Sequence, residues 1–485
     1  MLQENRIQAY YFLGIGGIGM SALARFFAAR GYQCGGYDRT PSPITHALEK
    51  EGITVTYEDD EQRLPEWAQN PATCLIVRTP AVPIDSQLTR WFDEHGFTIL
   101  KRAEVLGQVT KQMHALCVAG THGKTTTSTM LAHLLQQSSV GTNAFLGGIS
   151  NNFQTNLLID KSSSYVVVEA DEYDRSFHHL TPYMSVITAV DPDHLDIYGT
   201  PEAYREAFEH YTSLIQSALV IKKGLPITPR LGKGVKVYTY EGPTPSLPHR
   251  EGEMLPREGE MPPADFYADN IRVTEGKIMF DFHTPTTVIP DLNLGAPVWV
   301  NIENSVAAMA MAWLNGVTKE EIRVGISSFA GVWRRFNILI NRPNLAYVDD
   351  YAHHPQEIAS SIDSIRKLFP HRHTIGVFQP HLYTRTRDFA DGFAQALSAL
   401  DELILLPIYP ARELPIEGVN SEMLMGKVTC PVTLVEKAEL VTYLKEHINP
   451  DNPTALITIG AGDIDRMVPL IVESLEQSSC KTAYG

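Results

Sequence analysis

The sequence predicts an α/β protein of three successive blocks, each a largely parallel sheet covered by helices, and three observations carry that expectation. Strand-like apolar runs alternate with helix-like segments along most of the chain. Two of those runs end in glycine-rich turns that open helices, one at Gly14 and one at Gly120. At 485 residues the chain exceeds what a single hydrophobic core usually serves.

In the first block, Ala9-Tyr-Tyr-Phe-Leu13 reads as a buried strand and Gly14-Ile-Gly-Gly-Ile-Gly19 as the turn after it. Met20, Leu23, Ala24 and Phe27 recur at helical spacing, and a second strand, Gln33 to Tyr37, ends in Asp38. Gly14, Gly16, Gly17 and Gly19 with an acid about 20 residues on form a dinucleotide-type fingerprint: the glycines allow a tight turn and close backbone approach to a diphosphate. Such a turn reads the pyrophosphate and not the base. NAD and any other nucleoside diphosphate therefore both remain open on these residues alone.

The second block opens on Gly120-Thr-His-Gly-Lys-Thr-Thr126, directly after the apolar run Leu116 to Ala119. A strand, a glycine turn and a helix starting at Lys-Thr cradle nucleotide phosphates, with backbone N–H groups and the helix N-terminus supplying partial positive charge. Lys124 would reach the terminal phosphates and Thr125 would ligate Mg²⁺. The strict eight-residue pattern fails at one position, where Val118 replaces a glycine. Glu169, ending the strand-like Val166-Val-Val-Glu169, is placed to hold the Mg²⁺ that bridges ATP phosphates. For Asp171, Glu172 and Asp174, a solvated acidic loop and a functional role stand level. A strand from Met184 to Val190 leads to Asp191-Pro-Asp-His-Leu-Asp196, where His194 is a candidate for a second metal position.

The third block begins near Gly331-Val-Trp-Arg-Arg335, with strands at Ala346 to Val348, Thr374 to Phe378, Leu403 to Leu406 and Leu456 to Ile459. The last strand feeds Gly460-Ala-Gly-Asp463. Asp349-Asp-Tyr-Ala-His-His-Pro355 and Phe378-Gln-Pro-His-Leu-Tyr-Thr-Arg-Thr-Arg387 follow successive strands, where open parallel sheets place ligands. Arg385 and Arg387 suit bidentate grip of a carboxylate or phosphate.

A net charge of −16 argues against nucleic acid or an anionic membrane as a partner, though not against small anions met locally. Five cysteines, odd in number and without a Cys-x-x-Cys pair, suit a reducing compartment. No basic leader precedes an apolar stretch and no run approaches a membrane span, so a cytoplasmic protein is expected. Pro243 to Pro263 repeats Arg-Glu-Gly-Glu-Met and is rich in Pro, Glu and Gly, which predicts a mobile loop insertion outside any core.

Taken together, Gly14-Ile-Gly-Gly-Ile-Gly-Met-Ser-Ala22, Gly120-Thr-His-Gly-Lys-Thr-Thr126, Glu169-Ala-Asp-Glu172, Asp193-His-Leu-Asp196, Arg334-Arg-Phe336, Asp349-Asp-Tyr-Ala-His-His-Pro355 and Phe378-Gln-Pro-His381 resemble the motifs of the Mur ligases of peptidoglycan synthesis. They stand in the family's order and span nearly the whole chain. The resemblance implies three domains: a Rossmann-like UDP-sugar domain over 1–108, a central P-loop ATPase domain over 109–331, and a Rossmann-like C-terminal domain over 332–485. It implies an ATP- and Mg²⁺-dependent ligase that joins L-alanine to UDP-N-acetylmuramate through an acyl phosphate, with no nucleic-acid or membrane partner. On that basis Gly120, Thr121, His122, Gly123, Lys124, Thr125 and Thr126 hold the ATP phosphates. Thr125 and Glu169 hold one Mg²⁺, and His194 serves another. Asn301 and Asn304 match adenine-contacting asparagines, Arg335 an arginine on ATP, and Asp350 a ribose contact. His353, His381 and Arg385 fall near the incoming amino acid, and Gly14, Gly16, Gly17, Gly19 and Asp38 would serve UDP. Three departures stand out: Leu382 where arginine is usual, Asn337 after Arg-Arg-Phe, and Arg78-Thr-Pro-Ala-Val82 in place of a Ser-Ser-Ala pattern. Phe208 stands where several members carry a carbamylated lysine. The rivals are a family member that joins a whole peptide to the same sugar, an NAD-dependent dehydrogenase using the first turn, and a non-catalytic nucleotide-binding scaffold.

Overall fold

The computed structural model describes residues 7–243, 264–274, 276–411, 413–449 and 452–480. The proposed insertion, from position 244 to its end at 263, lies outside the described residues.

Three sheets carry the fold. The first contains β1 (Ala9–Leu13), β2 (Gln33–Tyr37), β3 (Thr54–Thr56), β4 (Cys74–Arg78) and β5 (Ile99–Lys101), in the order β3-β2-β1-β4-β5. All four pairings are parallel. The order reverses at β1, so the turn at Gly14 emerges where an open sheet presents a crevice to ligands. The helix Ile18–Ala29 then buries Met20, Leu23, Ala24 and Phe27, the apolar stripe read from the sequence.

The second sheet contains β6 (His114–Ala119), β7 (Asn143–Ser150), β8 (Thr155–Leu158), β9 (Tyr165–Ala170), β10 (Met184–Ile187), β11 (Ala218–Lys222), β12 (Lys236–Glu241), β13 (Phe266–Thr274), β14 (Lys277–His283) and β15 (Val288–Asn293). Their order is β15-β14-β13-β12-β11-β10-β6-β9-β7-β8. β6 lies between β9 and β10 and pairs with both in parallel. Val166, Val167 and Val168 in β9 and Leu116 to Ala119 in β6 are fully buried, each larger side chain worth about 1.5–3 kcal/mol relative to exposure. β10 ends at Ile187, so the strand read as far as Val190 is three residues shorter than expected.

The third sheet contains β16 (Asn337–Arg342), β17 (Leu345–Asp350), β18 (His373–Phe378), β19 (Glu402–Leu405), β20 (Val432–Leu434) and β21 (Thr454–Ile459), in the order β16-β17-β21-β18-β19-β20. Only β16 is antiparallel to its neighbour. β17 runs through Asp350 rather than stopping at Val348, because both aspartates pair in register with β21, at Thr458 and Ile459. By contact the chain divides into two compact units: Met1–Ala268 with Phe282–Ile289 and Asn304–Ser328, and Asp269–Asp281 with Pro290–Glu303 and Phe329–Gly485.

Candidate active site

Gly120 stands at φ +138 and Gly123 at φ +79, conformations that L side chains rarely adopt. A Cβ on Gly123 would also meet Asn304 Oδ1 at 2.6 Å. The loop therefore needs both glycines for its backbone path. Gly123 caps the helix Lys124–Gln136, whose first-turn N–H groups are the anion-binding feature expected here. Thr121 is tied down twice: its hydroxyl donates to the Asp191 carbonyl at 2.8 Å and lies 2.9 Å from the Tyr204 hydroxyl. His122 is exposed, with Nε2 3.9 Å from Asp191.

Lys124 is folded back into the loop. Its Nζ donates to the Gly120 carbonyl at 2.7 Å and meets Glu172 Oε1 and Oε2 at 2.9 and 2.8 Å. Glu172 is 1% exposed, so this acid is not part of a solvated loop, whereas Asp174 is exposed. Burial pushes its carboxyl above the ordinary range, opposed by the Lys124 charge. The Thr125 hydroxyl donates to Glu169 Oε1 at 3.2 Å, joining the two residues expected to share an ion. A Cβ on Gly147 would run into the Glu169 carboxylate, so a side chain there would displace it. A hydroxyl and a carboxylate suit a hard cation that takes few protein oxygens and fills its shell with phosphate and water.

His194 lies at the N-terminus of the short helix Leu195–Tyr198. It stands at φ +52, with Nε2 3.7 Å from Asp193 and its ring edge-on to Tyr173 at 5.1 Å. Among the described residues no group of three or more His, Cys, Asp or Glu side chains forms a metal cage. Phe208 is fully buried and packs edge-on against Phe177 at 5.1 Å. Asn304 Oδ1 accepts from Thr127 at 3.3 Å, whereas the Asn301 amide donates to the Ala296 carbonyl at 3.2 Å.

At the first glycine turn, Gly14 has φ +87. The Asp38 carboxylate accepts the Gly16 N–H at 2.7 Å and the Thr40 N–H at 3.2 Å. This acid therefore braces the turn itself, a role the spacing alone did not indicate. Arg102 packs against Gly19, where a Cβ would approach the guanidinium to 2.8 Å.

In the second unit, Arg334 is buried and donates to Asp349 Oδ2 at 3.1 Å and to the Gly460 carbonyl at 2.6 Å. Arg335 is more open, and both guanidinium carbons lie 5.3 Å from the Tyr351 ring. Asp350 is buried, accepts from Phe336 N–H at 3.2 Å and from the Ser361 hydroxyl, and burial pushes its carboxyl up to about 6. His353 and His381 are both held below the ordinary imidazole range, chiefly by burial, and Arg385 lowers each further. His353 Nδ1 lies 3.1 Å from the Tyr351 carbonyl, so that nitrogen carries the proton and Nε2 is left as an acceptor. His381 stacks on Tyr409 at 5.8 Å, and Leu382 stands at φ +68. The structure thus gathers His353, His381 and Arg385, all expected near one substrate. Glu172, left level between a solvated loop and a functional role, and Arg334, named only within its motif, have partners 48 and 15 residues away that the sequence did not indicate.

Comparison with known proteins gives matches over each block. Residues 9–114 match the Mur ligase family catalytic domain, residues 118–312 the Mur ligase middle domain, and residues 334–462 the Mur ligase glutamate ligase domain. A UDP-N-acetylmuramate–L-alanine ligase of Parabacteroides distasonis is 53% identical, covering 97% of this chain and 98% of its own. That of Porphyromonas gingivalis is 52% identical over 96% and 98%. A solved UDP-N-acetylmuramate–alanine ligase from Thermotoga maritima superposes with a TM-score of 0.76 at 25% identity, covering 97% of this chain and 99% of that one. The chain belongs to the Mur ligase family.

Proposed function

We propose that this chain ligates L-alanine to UDP-N-acetylmuramate at the expense of ATP, in the cytoplasm, as a step of peptidoglycan precursor synthesis. The observation that carries the reading is the phosphate-loop cluster, Lys124 with Thr125 and Glu169, in a chain more than half identical over nearly its full length to ligases of that name. A bare carboxylate is a poor acyl donor, so the sugar-linked carboxylate attacks the γ-phosphorus of ATP and ADP leaves. The amine of L-alanine then attacks the acyl phosphate carbonyl, and phosphate leaves as the amide forms. Lys124 and the helix N-terminus neutralise the phosphoryl group in transit. Mg²⁺ held by Thr125 and Glu169 would supply further charge neutralisation. The attacking amine must be neutral, and burial keeps the imidazoles of His353 and His381 unprotonated, so that either could accept a hydrogen bond from it. Gly14 and Gly16, braced by Asp38, would receive the UDP diphosphate.

The test is product analysis by mass spectrometry with ATP, UDP-N-acetylmuramate and an equimolar mixture of L-alanine, glycine, L-serine and a tripeptide. The L-alanyl product should dominate. Dominance of the tripeptide adduct would assign the chain to the peptide-joining branch instead.

A further inference from the structure

The donors of Lys124 are all engaged within the protein. An ammonium has three donors, and here they meet the Gly120 carbonyl at 2.7 Å, the Thr121 carbonyl at 3.4 Å and Glu172 Oε1 at 2.9 Å, with Glu172 Oε2 at ion-pair distance, 2.8 Å. Glu172 is buried, and its backbone is fixed independently: its carbonyl accepts the Arg175 N–H at 3.0 Å and the Tyr198 hydroxyl. The turn that follows is tight, with Asp174 at φ +50 and Arg175 at φ +54. A rigid segment thus delivers one carboxylate to the lysine, while Glu169, three residues earlier, meets Thr125 instead.

A carboxylate and a phosphate compete for one ammonium. Phosphoryl oxygens reach Lys124 Nζ only by sharing it with Glu172 or by displacing it. We propose that Glu172 is a positioning residue that holds the Lys124 ammonium in the loop and aims it at the transferring phosphoryl group. This inference rests on the ATP-binding reading of the loop. Its consequence is a split of opposite sign. The Glu172 charge weakens ground-state nucleotide binding, because the lysine is already engaged, and it speeds the chemical step, because the lysine is already aligned.

The experiment compares the full-length wild type with Glu172→Gln, Glu172→Asp, Lys124→Ala and Lys124→Ala/Glu172→Gln. Calorimetric titration with a non-hydrolysable ATP analogue and Mg²⁺ gives Kd, and steady-state ligation gives kcat. Glu172→Gln should tighten analogue binding about tenfold, the scale of one hydrogen bond to a charged group. It should lower kcat about tenfold or more. Glu172→Asp keeps the charge but draws it back from Nζ, so it should lower kcat as well. In the Lys124→Ala background, Glu172→Gln should leave Kd unchanged, since the ammonium it competes for is gone. A residue that only supports the fold would lower Tm without tightening nucleotide binding. Unchanged or weaker binding in Glu172→Gln, or the same tightening without Lys124, would overturn the proposal. Should Glu172→Gln fail to fold, a wild-type kcat in Glu172→Asp would overturn it too. A wild type that binds no analogue would instead overturn the ATP reading, and this proposal with it.

Discussion

The Asp350 carboxylate accepts the backbone N–H of Phe336 at 3.2 Å, so the acid expected to meet a ribose also fixes the arginine turn before it. Arg334 and Phe336 stand at φ +58 and +51, conformations that cost energy in non-glycine residues and persist only when their surroundings hold them. Ser361, from the helix Pro355–Leu368, donates to the second oxygen of the same carboxylate.

A pH dependence follows with a definite sign. Burial raises the Asp350 carboxyl from 3.8 to about 6, against the Ser361 hydroxyl, the Arg335 charge and the Phe336 N–H, with Asp349 adding to the rise. Between those values the folded state holds the proton more tightly than the unfolded chain. The contribution of this group is therefore greatest below 3.8 and is lost as pH rises through about 6. Asp350→Asn keeps an acceptor and removes the titration. The stability of wild type relative to this variant should fall by up to about 3 kcal/mol from pH 4 to above pH 6. Denaturant melts of both proteins across that range check it; a constant difference would contradict the burial argument.

Lys124→Ala should reduce ligation by about 10²-fold or more, because the ammonium acts where phosphoryl charge develops. It should also lower stability, since Glu172 is left buried without its partner, a loss of about 3–5 kcal/mol for pairs of this kind. Lys124→Ala/Glu172→Gln should regain much of that stability and none of the activity. Thermal melts beside turnover measurements separate the two effects, and a double variant no more stable than Lys124→Ala would contradict the pairing.

Gly147→Ala places a methyl group against the Glu169 carboxylate. The half-saturating Mg²⁺ concentration should rise while nucleotide-free stability changes by less than the range of a few kcal/mol typical of overpacking. Magnesium titration of turnover tests this, and an unshifted midpoint would remove Glu169 from the ion site.

Phe208 has no amine to carbamylate and is packed into the core beside Phe177 and Tyr204. Turnover in degassed buffer should be the same with and without added bicarbonate. Recovery of lost activity by bicarbonate would show that a lysine elsewhere forms a carbamate.

Most of this arrangement was legible where chemistry and local sequence coincide. Gly14 and Gly120 follow apolar strands and precede helices, so backbone demands and ligand chemistry were written in the same few residues. Glu172 was only half legible. It lies among Asp171, Tyr173 and Asp174 in a segment that reads equally as a solvated loop or a functional one, and only the fold brings it to a lysine 48 positions earlier. Asp38 was found for its spacing, yet its bond to Gly16 is a matter of three-dimensional closure. Likewise the apolar run ends at Val348, but strand pairing with Thr458 and Ile459 carries β17 on through Asp350.

On the proposed route a carboxylate is activated by the γ-phosphate of ATP and then captured by L-alanine. Ligation of UDP-N-acetylmuramate labelled with oxygen-18 in its carboxylate tests it most directly, with mass spectrometry of every product. The expected products are ADP, an L-alanyl amide that has lost one labelled oxygen, and inorganic phosphate that carries it. Label retained in full by the sugar, or found in AMP, would contradict the acyl phosphate.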